Sequence, residues 1–124
     1  MENDKNELEF EKLKKSLVDL ANESWRFAKA YDRMVTKLDA GEQQRYVSQV
    51  RWFLKRLQAT LEQADMRLVN VEEHPFDPGM AATPVNIEEF NQEDKLVVDQ
   101  MLEPIIMGKE GLVKAGTVTL RRFG

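Results

Sequence analysis

His74 is the only histidine in the chain, and an imidazole can serve as a base or a metal ligand. The chain has no cysteine, so a metal site at His74 would need carboxylates as its only other ligands, which is an uncommon set. A general base also needs an oriented partner, and none is evident in the surrounding "HPFDPGM". We therefore expect His74 to lie in a loop without a catalytic role.

Two pairs of adjacent acids, Glu72-Glu73 and Glu88-Glu89, are the next candidates for acid/base chemistry. Neighbouring side chains on a strand point to opposite faces, so such pairs do not converge on one substrate atom. A solvated acidic face is the better interpretation. The sequence also lacks a P-loop and the motifs GxSxG, HExxH and GxGxxG. We expect a protein that is not an enzyme and holds neither a metal nor a cofactor.

The distribution of charge bears on the kind of partner. The formal net charge is −4, but residues 69–113 carry ten Asp/Glu and two Lys. An acidic chain is a poor nucleic-acid binder, because phosphate affinity rests on clustered Lys and Arg, so we expect a basic protein surface instead. No apolar run approaches the roughly 20 residues of a membrane span. The absence of cysteine suits a reducing compartment, and we expect a cytoplasmic protein.

The first third of the chain has the heptad spacing of a helix that packs against other helices. With one polar break, the spacing runs through Phe10, Leu13, Leu17, Leu20, Ser24, Phe27, Tyr31, Met34 and Leu38. Asn6 and Glu9 have the spacing of a capping box, which predicts a helix start near Asn6. Gly41 can adopt the left-handed conformation that closes a helix, so Asp39-Ala40-Gly41 predicts the end.

A second helix with its own apolar stripe follows, and Asp39 with Glu42 forms its predicted capping box. Two helices bury two stripes poorly, so we expect a C2 dimer that closes a four-helix bundle. The alternative is that the C-terminal half covers the stripes within one chain. The candidate dimer residues are Leu13, Leu17, Leu20, Phe27, Tyr31, Val50, Leu54, Leu57 and Leu61.

From Arg67 onward the pattern changes to strands and turns. "GTVTLRR" (116–122) alternates like a strand, "GKEG" (108–111) is typical of a hairpin turn, and residues 93–102 favour a strand over a short helix. Phe76-Asp77-Pro78-Gly79 has turn chemistry, with Phe76 packed beneath. The sequence thus predicts an α+β fold: a helical dimerisation hairpin over residues 1–66 and a small β-wing over 67–124.

The order of these parts resembles GrpE, the family of nucleotide exchange factors of DnaK-type chaperones. The likeness covers roughly residues 18–122. It is strongest in "LKRLQATLEQADMRLVNVEEHPFDPGM", where Phe76, Asp77 and Pro78 fit the family's turn and Ala81 replaces a His. "KAGTVTL" resembles the family's closing strands, with Lys114 in place of an Arg and Val118 kept.

The resemblance implies a function without bond chemistry. Such a factor binds the open nucleotide cleft of a DnaK-type chaperone better than the closed one and so promotes ADP release. The wing residues expected to contact the chaperone are Met101, Leu102, Lys114 and Leu120. Burial in the wing core is the alternative for the apolar ones among them, because alternating strands usually bury their apolar face.

Two other functions stay open from the sequence. The first is a helical adaptor whose β module binds a different partner. The second is an enzyme whose site is assembled from scattered acids.

Overall fold

The fold is α+β, and the computed structural model describes residues 2–123. Two helices come first, α1 (Glu2–Val35) and α2 (Ala40–Glu62). Six strands follow: β1 (Arg67–Val69), β2 (Ala82–Pro84), β3 (Leu96–Glu103), β4 (Ile105–Gly108), β5 (Gly111–Lys114) and β6 (Gly116–Arg122). A single 3-10 turn (Ile87–Glu89) lies between β2 and β3. The change from helix to strand falls between Glu62 and Arg67.

The junction between the helices follows the second capping box. Asp39 is extended and its carboxylate accepts a hydrogen bond from the backbone N–H of Glu42 at 3.1 Å, which caps α2 as predicted. Gly41 lies in the first turn of α2, so the prediction that it closes α1 was wrong. Instead α1 ends at Val35, and it begins at Glu2 rather than near Asn6.

The C-terminal end of α2 is closed by Asp65, a signal that the sequence analysis did not use. Asp65 adopts a left-handed conformation with φ 58°, which Asp tolerates better than most residues. The backbone N–H of Met66 then donates to the Leu61 carbonyl at 3.0 Å, as in a Schellman closure. Met66 becomes buried beside Leu61, and the chain turns into β1.

The strands form two three-stranded sheets. In the first, β4 lies between β1 and β5 and is antiparallel to both. In the second, β6 lies between β2 and β3, parallel to β2 and antiparallel to β3. The predicted strands at 93–102 and 116–122 are confirmed as β3 and β6, and the predicted hairpin turn at 108–111 joins β4 to β5.

The core lies between the helical hairpin and the two sheets. Trp25 of α1 packs among buried residues of β3 and β6, such as Val98 and Val118. Val18 and Ala21 of α1 pack instead with Ile106 of β4 and with residues near the end of α2. The wing therefore covers one face of the hairpin within the same chain.

Candidate functional site

The turn around His74 is held by its backbone. The N–H of Val98 in β3 donates to the His74 carbonyl at 3.0 Å, and the Phe76 N–H donates to the Leu96 carbonyl at 2.8 Å. The Asp77 carboxylate accepts a hydrogen bond from the Gly79 N–H at 3.0 Å, which is the predicted turn chemistry. The His74 side chain is exposed, whereas Phe76 packs against the core. The segment thus fixes the path of the chain beside β3.

The carboxylates of Glu72 and Glu73 bond different partners. Glu72 bonds Lys29 and the Met101 N–H, whereas Glu73 pairs with Arg121. Across the described residues, no three His, Asp or Glu side chains are grouped so that they could hold a metal ion. Glu72 and Glu73 therefore join different elements of the fold, Glu72 to α1 and β3 and Glu73 to β6.

Glu72 joins the wing to α1. One carboxylate oxygen accepts from Lys29 Nζ at 2.9 Å and the other accepts from the Met101 N–H at 2.9 Å. Lys29 also lies 5.4 Å from the centroid of the Trp25 ring, where a cation is attracted to the aromatic face. Burial acts to raise the pKa of Glu72, but these hydrogen bonds and the Lys29 charge outweigh it and leave the pKa lowered.

A second polar junction lies at the end of β3. The Glu103 carboxylate accepts hydrogen bonds from Asn22 Nδ2 at 3.0 Å and from the Thr117 hydroxyl at 2.8 Å. These two bonds lower the pKa of Glu103, and Lys114 at 3.7 Å lowers it further. Asn22 is buried on α1. Glu103 therefore ties α1, β3 and β6 together.

Two of the four predicted partner-contacting wing residues are in the core. Met101 is fully buried and Leu120 is 3% exposed, so the prediction that they meet a partner was wrong. An irregularity in β3 at Asp99 shifts the alternation, which pairs Met101 with the inward-facing Val118. Leu120 is buried because it lies on the inward face of β6 with Gly116 and Val118, whereas the alternating Thr117, Thr119 and Arg121 are half-buried.

Leu102 and Lys114, the other two predicted wing contacts, are half-buried at the wing surface. Lys114 Nζ donates to the Ala115 carbonyl at 3.2 Å besides lying near Glu103. Its charge is therefore partly compensated within the chain.

The predicted dimer residues divide into two sets. On α1, Leu13, Leu20 and Phe27 are 73%, 65% and 73% exposed, and Leu17 and Tyr31 are half-buried. On α2, Val50 and Leu61 are buried within the chain, and Leu54 and Leu57 pack against the wing core. Val50 and Leu61 were therefore assigned to the wrong contact, because both are buried within the single chain. Leu54 and Leu57 are only half-buried, and their contact with a second copy stays a prediction.

The exposed apolar residues of α1 form one surface, which we name the α1 stripe: Phe10, Leu13, Leu20, Phe27 and Met34. Phe53 of α2 is 40% exposed and lines a shallow groove with Leu20 and Ser24. The sequence analysis did not single out Phe53 for this surface. Phe53 could have been found because it directly precedes Leu54, a member of the apolar stripe of α2, and so lies at the edge of that stripe.

The wing has exposed apolar residues that the sequence analysis also missed. Leu112 on β5, Ile87 in the 3-10 turn and Phe123 after β6 are 52%, 42% and 70% exposed. Their exposure could have been expected from their positions at or near turns and strand ends, where fewer neighbouring strand residues cover a side chain. Ile87 and Phe123 line one groove, whereas Leu112 lines another. Contiguous exposed apolar residues such as the first pair mark candidate interaction sites.

No family model, no curated protein and no solved structure matches the chain. The likeness to GrpE therefore remains a prediction that rests on the order of elements and on the turn motif. Neither described helix is long and apolar enough to cross a membrane.

Proposed function

We propose that this chain is a cytoplasmic co-chaperone of the GrpE type, which binds a DnaK-type chaperone as a homodimer and promotes ADP release. The factor makes and breaks no covalent bond. It acts because it binds the open form of the nucleotide cleft better than the closed form, which shifts the chaperone toward the open form. The helices provide the dimer contact, and the wing contacts the chaperone.

The observation that carries this proposal is the exposure of the α1 stripe beside a wing that already covers the hairpin's other face. Phe10, Leu13, Leu20, Phe27 and Met34 all remain more than half exposed in the single chain. Fully burying one such side chain is worth roughly 1.5–3 kcal/mol, so a second copy that covers the stripe would be strongly stabilised. A homodimer of helical hairpins is the assembly that the resemblance implies.

The attachment of the wing to the hairpin supports the mechanical part of the proposal. Trp25 packs into the wing core, and Glu72 and Glu103 bond side chains of α1. A wing held at these three places moves with the helices, so force on the wing is resisted by the whole dimer. Leu102 and Lys114 stay as the proposed chaperone contacts, since both reach the wing surface.

A helical adaptor with a different partner is the second candidate, and the burial of Met101 and Leu120 favours it. Both residues were implied as chaperone contacts by the resemblance, and both are core residues here. Capture from a native lysate separates the candidates. A DnaK-type chaperone that binds and leaves when ATP is added supports the exchange factor, whereas capture of other proteins alone supports the adaptor.

The direct test measures release of a fluorescent ADP analogue from a DnaK-type chaperone, with and without this protein. We expect faster release with the wild-type chain and a smaller acceleration with Lys114→Gln. The thermal unfolding of Lys114→Gln should barely change, because a partly exposed ion pair contributes at most about 1 kcal/mol. Lys37→Gln, at an exposed position outside the wing, is the control. Unchanged ADP release with the wild-type chain would rule out the exchange-factor proposal.

A further inference from the structure

A groove on the wing is lined by apolar side chains that the described residues leave open to solvent. Its volume is about 840 Å³, which is within the range of about 300–1,000 Å³ that is common for binding pockets. The apolar lining comes from Pro75, Phe76, Ile87, Phe90, Leu96 and Phe123. The two outermost members, Ile87 and Phe123, are exposed. We refer to it as the acidic groove, because acidic residues outnumber basic ones around it.

Carboxylates outnumber cations in the segments that line this groove. Residues 73–95 carry six Asp/Glu and one Lys, and this Lys95 is exposed and lines the groove. Asp77, Glu88, Glu89 and Glu93 each lie between groove-lining positions along the chain, and all four are exposed. Among the ion pairs of the described residues, none involves these four acids. Arg122 at the groove is already paired with Asp94 at 3.2 Å. The groove therefore combines an apolar floor with a negative rim.

The outer face of α2 has the opposite character. Residues 43–61 carry four Lys/Arg and no Asp or Glu. Arg45, Trp52, Lys55 and Arg56 lie on the side away from the buried Val50 and Leu61, because their spacing of three, four and seven residues places them on one helix face. All four are exposed, and we refer to them as the basic face.

Trp52 is an unusual residue to leave in solvent. Its side chain is 65% exposed, with the Arg56 guanidinium 5.9 Å from its ring centroid. Among the described residues, no ion pair involves Arg45, Lys55 or Arg56. An aromatic residue flanked by unpaired cations has the composition of an interface hot spot.

We propose that the basic face of one copy of this chain docks into the acidic groove of a second copy, with Trp52 as the apolar anchor. The two surfaces are complementary in their apolar character and in their charge. Trp52 supplies a large apolar side chain for a groove with an apolar floor. Lys55 and Arg56 meet Glu88 and Glu89 on the rim, which steers the encounter and fixes its orientation.

This contact differs in kind from the dimer across the α1 stripe. It joins two different surfaces, so it is heterologous, and each added copy presents a free groove and a free basic face. Unless the rotation happens to close a ring, copies add head to tail and the mass rises with concentration. The contact is independent of the proposed exchange function, and it predicts growth beyond whatever oligomer the α1 stripe makes.

The test follows the mass of the full chain by light scattering and sedimentation over a wide concentration range. In about 0.1 M salt we expect the mass to rise with concentration beyond the dimer. In about 1 M salt, where the Debye length falls from about 10 Å to about 3 Å, the rise should disappear. A mass that stays constant across concentration at low salt overturns the proposal.

Charge reversal on each surface gives a sharper test. Lys55→Glu/Arg56→Glu gives a chain with two acidic surfaces, and Glu88→Lys/Glu89→Lys gives one with two basic surfaces. Each variant alone should associate at least about tenfold more weakly than wild type. An equimolar mixture should regain association, because every groove then meets a face of opposite sign. Failure of the mixture to regain it also overturns the proposal.

Matched controls change the same charges on the exposed N-terminal part of α1. Lys5→Glu/Lys12→Glu and Glu7→Lys/Glu11→Lys should associate as wild type does.

Phe123→Ala and Trp52→Ala remove exposed apolar groups from the two surfaces without touching the core, and both should weaken the growth. Head-to-tail growth can be observed even if the α1 stripe forms no dimer. The docking proposal and the exchange-factor proposal can therefore be contradicted separately.

Discussion

Phe76 and His74 are two positions apart, yet only Phe76 turns its side chain toward the core. We expect Phe76→Ala to lower the free energy of unfolding by about 2–3 kcal/mol, somewhat less than a fully buried Phe because Phe76 is half-buried. His74→Ala should change it by less than about 0.5 kcal/mol, since only its backbone is bonded. Urea unfolding measures both. If His74→Ala abolished function with an unchanged unfolding curve, a chemical site would have to be sought at this turn.

Glu72 and its neighbour Glu73 allow a matched comparison of two ion pairs. The Glu72–Lys29 pair has both side chains 20% exposed, whereas Glu73 and Arg121 are 66% and 42% exposed. Glu72→Ala also leaves the Met101 N–H without its acceptor, so we expect a loss of about 2–3 kcal/mol in unfolding free energy. Glu73→Ala should cost below about 1 kcal/mol. Equal losses from the two variants in urea unfolding would contradict this account of the joint.

The identity of single residues predicted their chemistry better than their burial. The turn at Asp77 could be deduced from residue types alone, and its carboxylate does accept from the Gly79 N–H. The burial of Met101 could not be deduced, because the irregularity at Asp99 in β3 shifts which side chains face inward. A bulge depends on the pairing of two strands that are distant in sequence, and local alternation carries no signal for it.

At the scale of elements, the joint between α1 and the wing depends on two carboxylates, Glu72 and Glu103. Both have a pKa below the ordinary value of 4.5 in the folded chain. A lowered pKa means that their contribution to stability is complete above the unfolded value and is lost as the pH falls through the folded value. We therefore expect the free energy of unfolding to decrease as the pH falls below about 4.5.

The double variant Glu72→Gln/Glu103→Gln isolates this effect. It should start less stable at neutral pH and should show a flatter decline in acid, measured by urea unfolding at a series of pH values. Glu88→Gln/Glu89→Gln, at exposed positions of the 3-10 turn, should keep the wild-type pH profile apart from a small offset. A double variant at the joint with the full wild-type slope would show that other groups govern the acid response.

The helices and most strands could be predicted from periodicity, because each depends on local spacing. The face of α1 that packs against the wing could not be predicted in this way. Its heptad stripe of large residues lies in solvent, while the smaller Val18, Ala21 and Ala28 are buried with Trp25. Small side chains let the sheets approach α1 closely, so packing against the wing selected that face. The division of the wing into two sheets could not be predicted either, since β2 and β6 pair across more than thirty residues of sequence.

For the whole molecule, we predict that the α1 stripe forms the contact of a homodimer. Leu20→Glu or Phe27→Glu should give a monomeric mass in light scattering at micromolar concentration in about 1 M salt, where the head-to-tail contact is screened, because each places a charge in an apolar interface. At a dilution where the wild-type chain is also monomeric, thermal unfolding of the variants should match it closely, since both side chains are largely exposed. Leu8→Glu is the control, because Leu8 is 64% exposed but does not share the spacing of the stripe. A wild-type chain that is already monomeric would contradict the dimer.

The central position of β6 has a consequence for the newly made chain. The hairpin leaves the ribosome first and has mostly local contacts, so it can form early. β2 and β3 must wait for β6, which pairs with both and follows both along the chain. Until β6 emerges, Trp25 and its neighbours on α1 lack their cover while the α1 stripe is also open. A nascent chain in this state exposes apolar surface on two sides of one helix, so we expect holding chaperones to bind it.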